Sequence, residues 1–117
     1  MDLKAIDRSK VFIPEFMGNK EQPTEKQIKV HLSRFPSGGE LGLYKTFRMK
    51  GGSVEVVYAN IDMMINHIKK IENLSIGKIV IDDAVKLCDT EDSRLYDLIV
   101  EIRNYLLKDS EELEQGE

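Results

Sequence analysis

The chain has 117 residues, 41% of them hydrophobic and 32% charged, with no tryptophan. That composition excludes a fibrous or disordered chain and leaves room for one domain with one modest core. Seventeen basic against twenty-one acidic residues give a net charge of −4, without the basic excess that drives nucleic-acid affinity, so nucleic acid is not the expected partner.

The apolar runs reach four or five residues at most, too short to cross a membrane. The charged opening Met1–Arg8 lacks the apolar core of a signal peptide, and a lone cysteine, Cys88, has no intramolecular partner. A reducing cytoplasm is the expected location. Charge is uneven along the chain. Residues 1–50 carry ten basic and six acidic residues, a net of +4, and residues 51–117 carry seven and fifteen, a net of −8. A two-signed surface allows head-to-tail homo-oligomers or a basic partner; ordinary solvated charge is the plainer account.

In chain order, residues 1–9 are expected to form a flexible arm. Lys10–Phe16 is β-branched and aromatic, but Pro14 cannot donate to a ladder, which suits a strand end or edge. Met17–Lys26 reads as a loop, punctuated by Gly18, Asn19 and Pro23. Gln27–Phe35 alternates, with Ile28, Val30 and Leu32 on one side and Lys29, His31 and Ser33 on the other: a half-buried strand. The two strands are expected to pair as an antiparallel hairpin that needs helices or another chain to cover it.

Ser37 with Glu40 three residues later fits a capping box. A helix over about 39–49 follows, with Leu41, Leu43, Tyr44 and Phe47 as apolar positions, weakened by Gly42 and ended by Gly51–Gly52. Ser53 is the expected N-cap of the next helix. Val57, Ile61, Met64, Ile65, Ile68 and Ile71 recur at steps of three and four as its core stripe, although Val54, Val56 and Val57 also fit a strand. Glu72–Ile81 is expected to form a small hairpin about Gly77, and Asp82–Asp83 to open a short helix through Leu87. Asp89 or Thr90 is the expected cap of the last helix, whose stripe is Leu95, Leu98, Ile99, Ile102 and Leu106. The fold class is therefore α+β: an N-terminal antiparallel β-hairpin packed on a C-terminal bundle of three to four short helices. A single domain spans 10–110, and 111–117 forms an acidic tail.

The chemistry-bearing residues are sparse. His31, His67 and Cys88 share no metal-ligand spacing, His67 is expected on a solvated helix face, and no CxxC is present. Asp82, Asp83, Asp89, Glu91 and Asp92 lack the calcium-loop pattern and suit helix N-caps. Cys88 beside Val85 and Leu87 is expected to be a packed side chain. Neither Gly38–Gly39 nor Gly51–Gly52 sits in a phosphate-binding motif. No cofactor, metal or catalytic residue is expected, and a binding or assembly role is.

The stretch Val-Phe-Ile-Pro-Glu-Phe-Met-Gly-Asn-Lys-Glu-Gln-Pro at 11–23, followed by Gln27-Ile28-Lys29-Val30, resembles the opening of small tail assembly chaperones of tailed phages. Asn73-Leu74-Ser75-Ile76 before Gly77 is similar to that family's turn, and Leu95-Tyr96-Asp97-Leu98-Ile99-Val100-Glu101-Ile102 to its final helix. The likeness spans about residues 10–112. It departs at Lys20, where the family usually has arginine, and at Asp109–Leu113. The resemblance implies a non-catalytic host-cytoplasmic protein that coats the helical tape measure protein and recruits the tail tube protein. Two rivals accompany it: a structural tail completion or connector subunit built by strand addition, and a small regulatory module binding a protein or an RNA. The expected partner-binding residues are Phe12, Phe16, Met17 and Met63, with Met63 preferred over Met64 because Met64 shares the stripe of Ile61 and Ile68.

Overall fold

A computed structural model describes residues 1–5, 7–50 and 53–108, without the side chains of 47–50 and 53–57. The expected turn at Gly51–Gly52, the roles of Phe47, Ser53, Val54, Val56 and Val57, and the acidic tail 111–117 lie outside the described residues and side chains.

The fold is α+β. Strands β1 (Val11–Phe12) and β2 (Lys29–Leu32) form the N-terminal antiparallel hairpin. Helices α1 (Gly38–Lys50) and α2 (Ser53–His67) follow, then β3 (Ile68–Glu72). A small hairpin of β4 (Ser75–Ile76) and β5 (Ile79–Val80) leads to α3 (Ala84–Asp89) and α4 (Leu95–Leu107). β3 pairs antiparallel with β2, giving a three-stranded sheet in the order β1–β2–β3.

That third strand corrects the sequence expectation, which ran the helix through Ile71. The helix stops at His67, and Ile68 and Ile71 are strand residues. Along β2 and β3, His31 faces Lys70 and Leu32 faces Ile68, so Lys69 is an extra residue on β3. Such a bulge shifts the alternation by one, and both Ile68 and Ile71 turn into the core. A bulged strand therefore reproduces the three-residue step of a helix face. In the first strand, Pro14 cuts the ladder short as expected, leaving only Val11 and Phe12 paired.

The long connection between β1 and β2 is held from inside. Asn19 is buried; its amide donates to the carbonyls of Pro14 and Ile28, and its oxygen accepts from the Ile28 N–H at 2.6 Å. One side chain thus satisfies backbone groups that a buried loop would otherwise leave unpaired. The core beneath the sheet gathers Val30, Leu32, Ile68 and Ile71 with Leu87, Leu98, Ile102 and Leu106. Burying that much apolar side chain at roughly 1.5–3 kcal/mol each is what holds the layers together.

Two further expectations change. Asp89 ends α3, and the hydroxyl of Thr90 donates to the Lys86 carbonyl, so these residues close α3 rather than cap α4. The entry to α4 is organised by Asp92, which accepts from the Arg94 N–H at 3.0 Å and from its guanidinium. Within 1–9, Arg8 and Ser9 dock on α4. Arg8 lies 3.8 Å above the Phe35 ring and donates to the Tyr105 carbonyl, while the Tyr105 hydroxyl donates to Ser9 O at 2.7 Å. The expected capping box at Ser37 and Glu40 is formed in both directions, each side chain accepting from the other's N–H.

Candidate functional site

Helix α2 packs against α1, α3 and α4. A helix enclosed on several sides buries a wide arc, and here Ala59, Asn60, Met63, Met64 and His67 are all buried. Met63, expected at the partner surface, is 1% exposed and belongs to the core alongside Met64. The correction has a simple cause: adjacent helical positions lie about 100° apart, and an arc this wide covers both.

The opposite side of α2 is also apolar. Tyr58, Ile61 and Ile65 recur at i, i+3 and i+7, and Tyr58 and Ile65 are 67% and 49% exposed. Leu43 of α1, 55% exposed, stands beside them. Together with Tyr44 and Asp62 these residues line a groove of about 450 Å³ between the two helices. Its floor runs about 10 Å along α2, roughly two helical turns. Ile65, read from the sequence as a core position, belongs to this groove. The Tyr44 hydroxyl, buried at the seam and pushed up in pKa chiefly by burial, donates to Asp62 at 3.4 Å. Asp62 is the groove's charged lining residue.

One end of the α1–α2 seam is closed by charge. Glu40, in the first turn of α1, receives the Arg34 guanidinium on both carboxylate oxygens, the Ser37 N–H, and His67 Nε2 at 2.8 Å. Its carboxyl is lowered to about 2, first by the Arg34 hydrogen bonds and further by Ser37 and His67, against the opposing effect of burial. His67, at the last residue of α2, is fully buried rather than solvated, and its Nδ1 lies 3.0 Å from the Arg34 carbonyl oxygen.

The other expected partner-binding residues separate. Phe12 is half-buried and stacked on Tyr105, with ring centroids 4.5 Å apart, so its face is taken within the chain. Phe16 is half-buried against the core. Met17 is 72% exposed, with its backbone in the left-handed region at φ 47°. Phe16 and Met17 line a smaller groove of about 290 Å³ with Ile76, Gly77 and Arg94, while Phe12 lies along α4. The structure therefore joins Phe16 to Met17, places Phe12 elsewhere, and removes Met63 from the surface. Leu43 and Tyr58 were missed as surface anchors. For Tyr58 the signal was present in α2, where the Tyr58–Ile61–Ile65 repeat is a second stripe beside the core positions; Leu43 of α1 carried none.

Among the described residues no group of three or more His, Cys, Asp or Glu is arranged to hold a metal ion. His31 meets Glu72 across the strands at 2.6 Å, and that hydrogen bond is the main cause lowering the Glu72 carboxyl. Cys88 is half-buried, and burial pushes its thiol up, away from the thiolate a nucleophile needs. No helix among the described residues is long and apolar enough to cross a membrane.

No protein-family model matches the chain, and neither does any curated protein or solved structure. The likeness to phage tail assembly chaperones rests on the local residue patterns alone.

Proposed function

We propose that this protein is a non-catalytic phage tail assembly chaperone of the host cytoplasm, which holds amphipathic helical segments of a tape measure protein and recruits tail tube subunits. The observation that carries the reading is the second apolar face of α2, with Tyr58 and Ile65 exposed beside Leu43 of α1. A cleft between two antiparallel helices, apolar along two turns, suits an amphipathic helix laid in as a third member. Asp62 in that cleft favours a lysine or arginine flanking the guest's apolar stripe. A short cleft also suits the task, because weak contacts repeated along a long partner give avidity and still release.

Strand addition, the basis of the structural-subunit rival, finds little to work with. The β1 edge is two residues long and is followed closely by Pro14, and on β3 the Ile71 N–H already donates to Asp82 O. The RNA-binding rival rests on the basic first half, where Arg8 lies on Phe35, and Arg34 and Lys20 face Glu40 and Glu15.

The test is co-expression with a tape measure segment bearing apolar helical repeats. Co-purification is expected, with capture reduced at least about tenfold in a Tyr58→Ser/Ile65→Ser variant that melts like the parent. Capture undiminished by that pair, or the chain retained stoichiometrically in purified tails, would overturn the reading.

A further inference from the structure

We propose that His67, Glu40 and Arg34 form a proton-dependent clasp that pins the first turn of α1 to the end of α2 and so sets the width of the groove between them. Both ring nitrogens of His67 face acceptors: Nδ1 the carbonyl oxygen of Arg34 at 3.0 Å, and Nε2 the Glu40 carboxylate at 2.8 Å. A neutral imidazole has one N–H and one lone pair, so in either tautomer one of these contacts would set a lone pair against an acceptor. The Glu40 carboxyl does not resolve the conflict by holding a proton itself, because two nitrogens of Arg34 already donate to it. Only the doubly protonated ring satisfies the geometry. It does so with no solvent exposure, where an unmatched polar contact is costly.

The surroundings are consistent with a held cation. From α1 the carboxylate of Glu40 faces His67, and from the segment between β2 and α1 Arg34 supplies its carbonyl while its guanidinium shares Glu40. From the end of β2, Ser33 donates through its N–H and hydroxyl to the His67 carbonyl oxygen. Further along the seam stand Tyr44 of α1 and Asp62 of α2, and beyond His67 the exposed Lys69 and Lys70 of β3. The clasp joins chain positions 27 residues apart and ties the start of one groove wall to the end of the other.

The direction of the pH effect follows. The clasp is complete while the ring holds both protons and is lost when one is removed. Losing it turns an attractive contact at Glu40 or Arg34 into a repulsive one, and α1 loosens from α2. The clasp stands on the geometry alone; its effect on guest binding rests on the function proposed above.

The decisive experiment is nitrogen-detected NMR of the His67 ring in the full chain at about pH 6 and about pH 8.5. Protons on both nitrogens at the lower pH are expected, with loss of one at the higher pH moving the amide signals of Leu41 and Leu43. A single ring proton at about pH 6, or a titration that leaves those amides unmoved, would overturn the clasp. A His67→Gln variant is expected to lose the fall in thermal stability between those pH values that the parent shows; if it does not fold, Glu40→Gln serves the same comparison. Capture of the tape measure segment is expected to be about tenfold weaker at the higher pH. Ring protons as described with no capture at either pH would sink the chaperone reading and leave the clasp standing. Capture that is pH-independent over a singly protonated ring would do the reverse.

Discussion

Helices α4 and α2 are of similar length, 13 and 15 residues, and pack on each other, yet they divide their surfaces differently. α4 buries one stripe, Leu95, Leu98, Ile102 and Leu106, and turns Tyr96, Asp97 and Asn104 outward. α2 buries a wide arc and remains apolar on the far side at Tyr58 and Ile65. A helix with one apolar stripe has spent it on the core. One with two has a face left over, and in this chain that face lines the apolar groove between α1 and α2.

The sharpest test of that division is inside α2 itself. Met63→Ala is expected to destabilise the fold by about 2–5 kcal/mol, as much as Ile102→Ala in α4, because both side chains are fully enclosed. Chemical denaturation of the two variants checks it. A Met63 variant as stable as the parent would place this residue at a surface after all and erase the distinction between the faces of α2.

What could be read from the residues in order follows the same line. The α4 stripe, the Ser37–Glu40 capping box, the alternation of β2 and the turn at Gly77 are local signals, and each element formed. The third strand was hidden because the bulge at Lys69 gave Ile68 and Ile71 a helical spacing. His67 was hidden because its partners, Arg34 and Glu40, lie 33 and 27 residues back in the chain; no local pattern marks a polar side chain for burial. Of the four expected partner-binding residues, Phe16 and Met17 share a groove apart from the α1–α2 cleft, and none of the four lines that cleft. The groove needed two helices to be brought together, and Leu43 says nothing alone about which way it will face.

Acid should weaken both regions, through different carboxylates. Glu40 closes the α1–α2 seam and Asp92 organises the entry to α4, and both are held at about 2, by Arg34 and by Arg94 respectively. A carboxyl whose folded-state pKa is depressed contributes stability at neutral pH and loses it as pH falls, here from the ordinary carboxylate range near 4 down to about 2. Thermal melts over that interval are expected to fall steadily for the parent and less steeply for Glu40→Gln and Asp92→Asn. Slopes equal to the parent's in both variants would remove these two carboxylates from the acid response.

The smallest stability effect carries the clearest contrast between the helices. Tyr58 of α2 and Tyr96 of α4 are 67% and 59% exposed, so replacing either by serine should change stability by no more than about 0.5 kcal/mol. They differ in company. Tyr58 stands with Leu43, Ile61 and Ile65 around the groove, whereas Tyr96 lies on the outward face of α4, away from the groove lining. Tyr58→Ser is therefore expected to weaken capture of an apolar helical guest several-fold and Tyr96→Ser to leave it unchanged, measured by titrating the guest against each purified variant. Equal losses from both would mean that general surface apolarity, rather than a shaped cleft, governs binding. A loss from Tyr96 alone would move the binding face from the α1–α2 pair to α4.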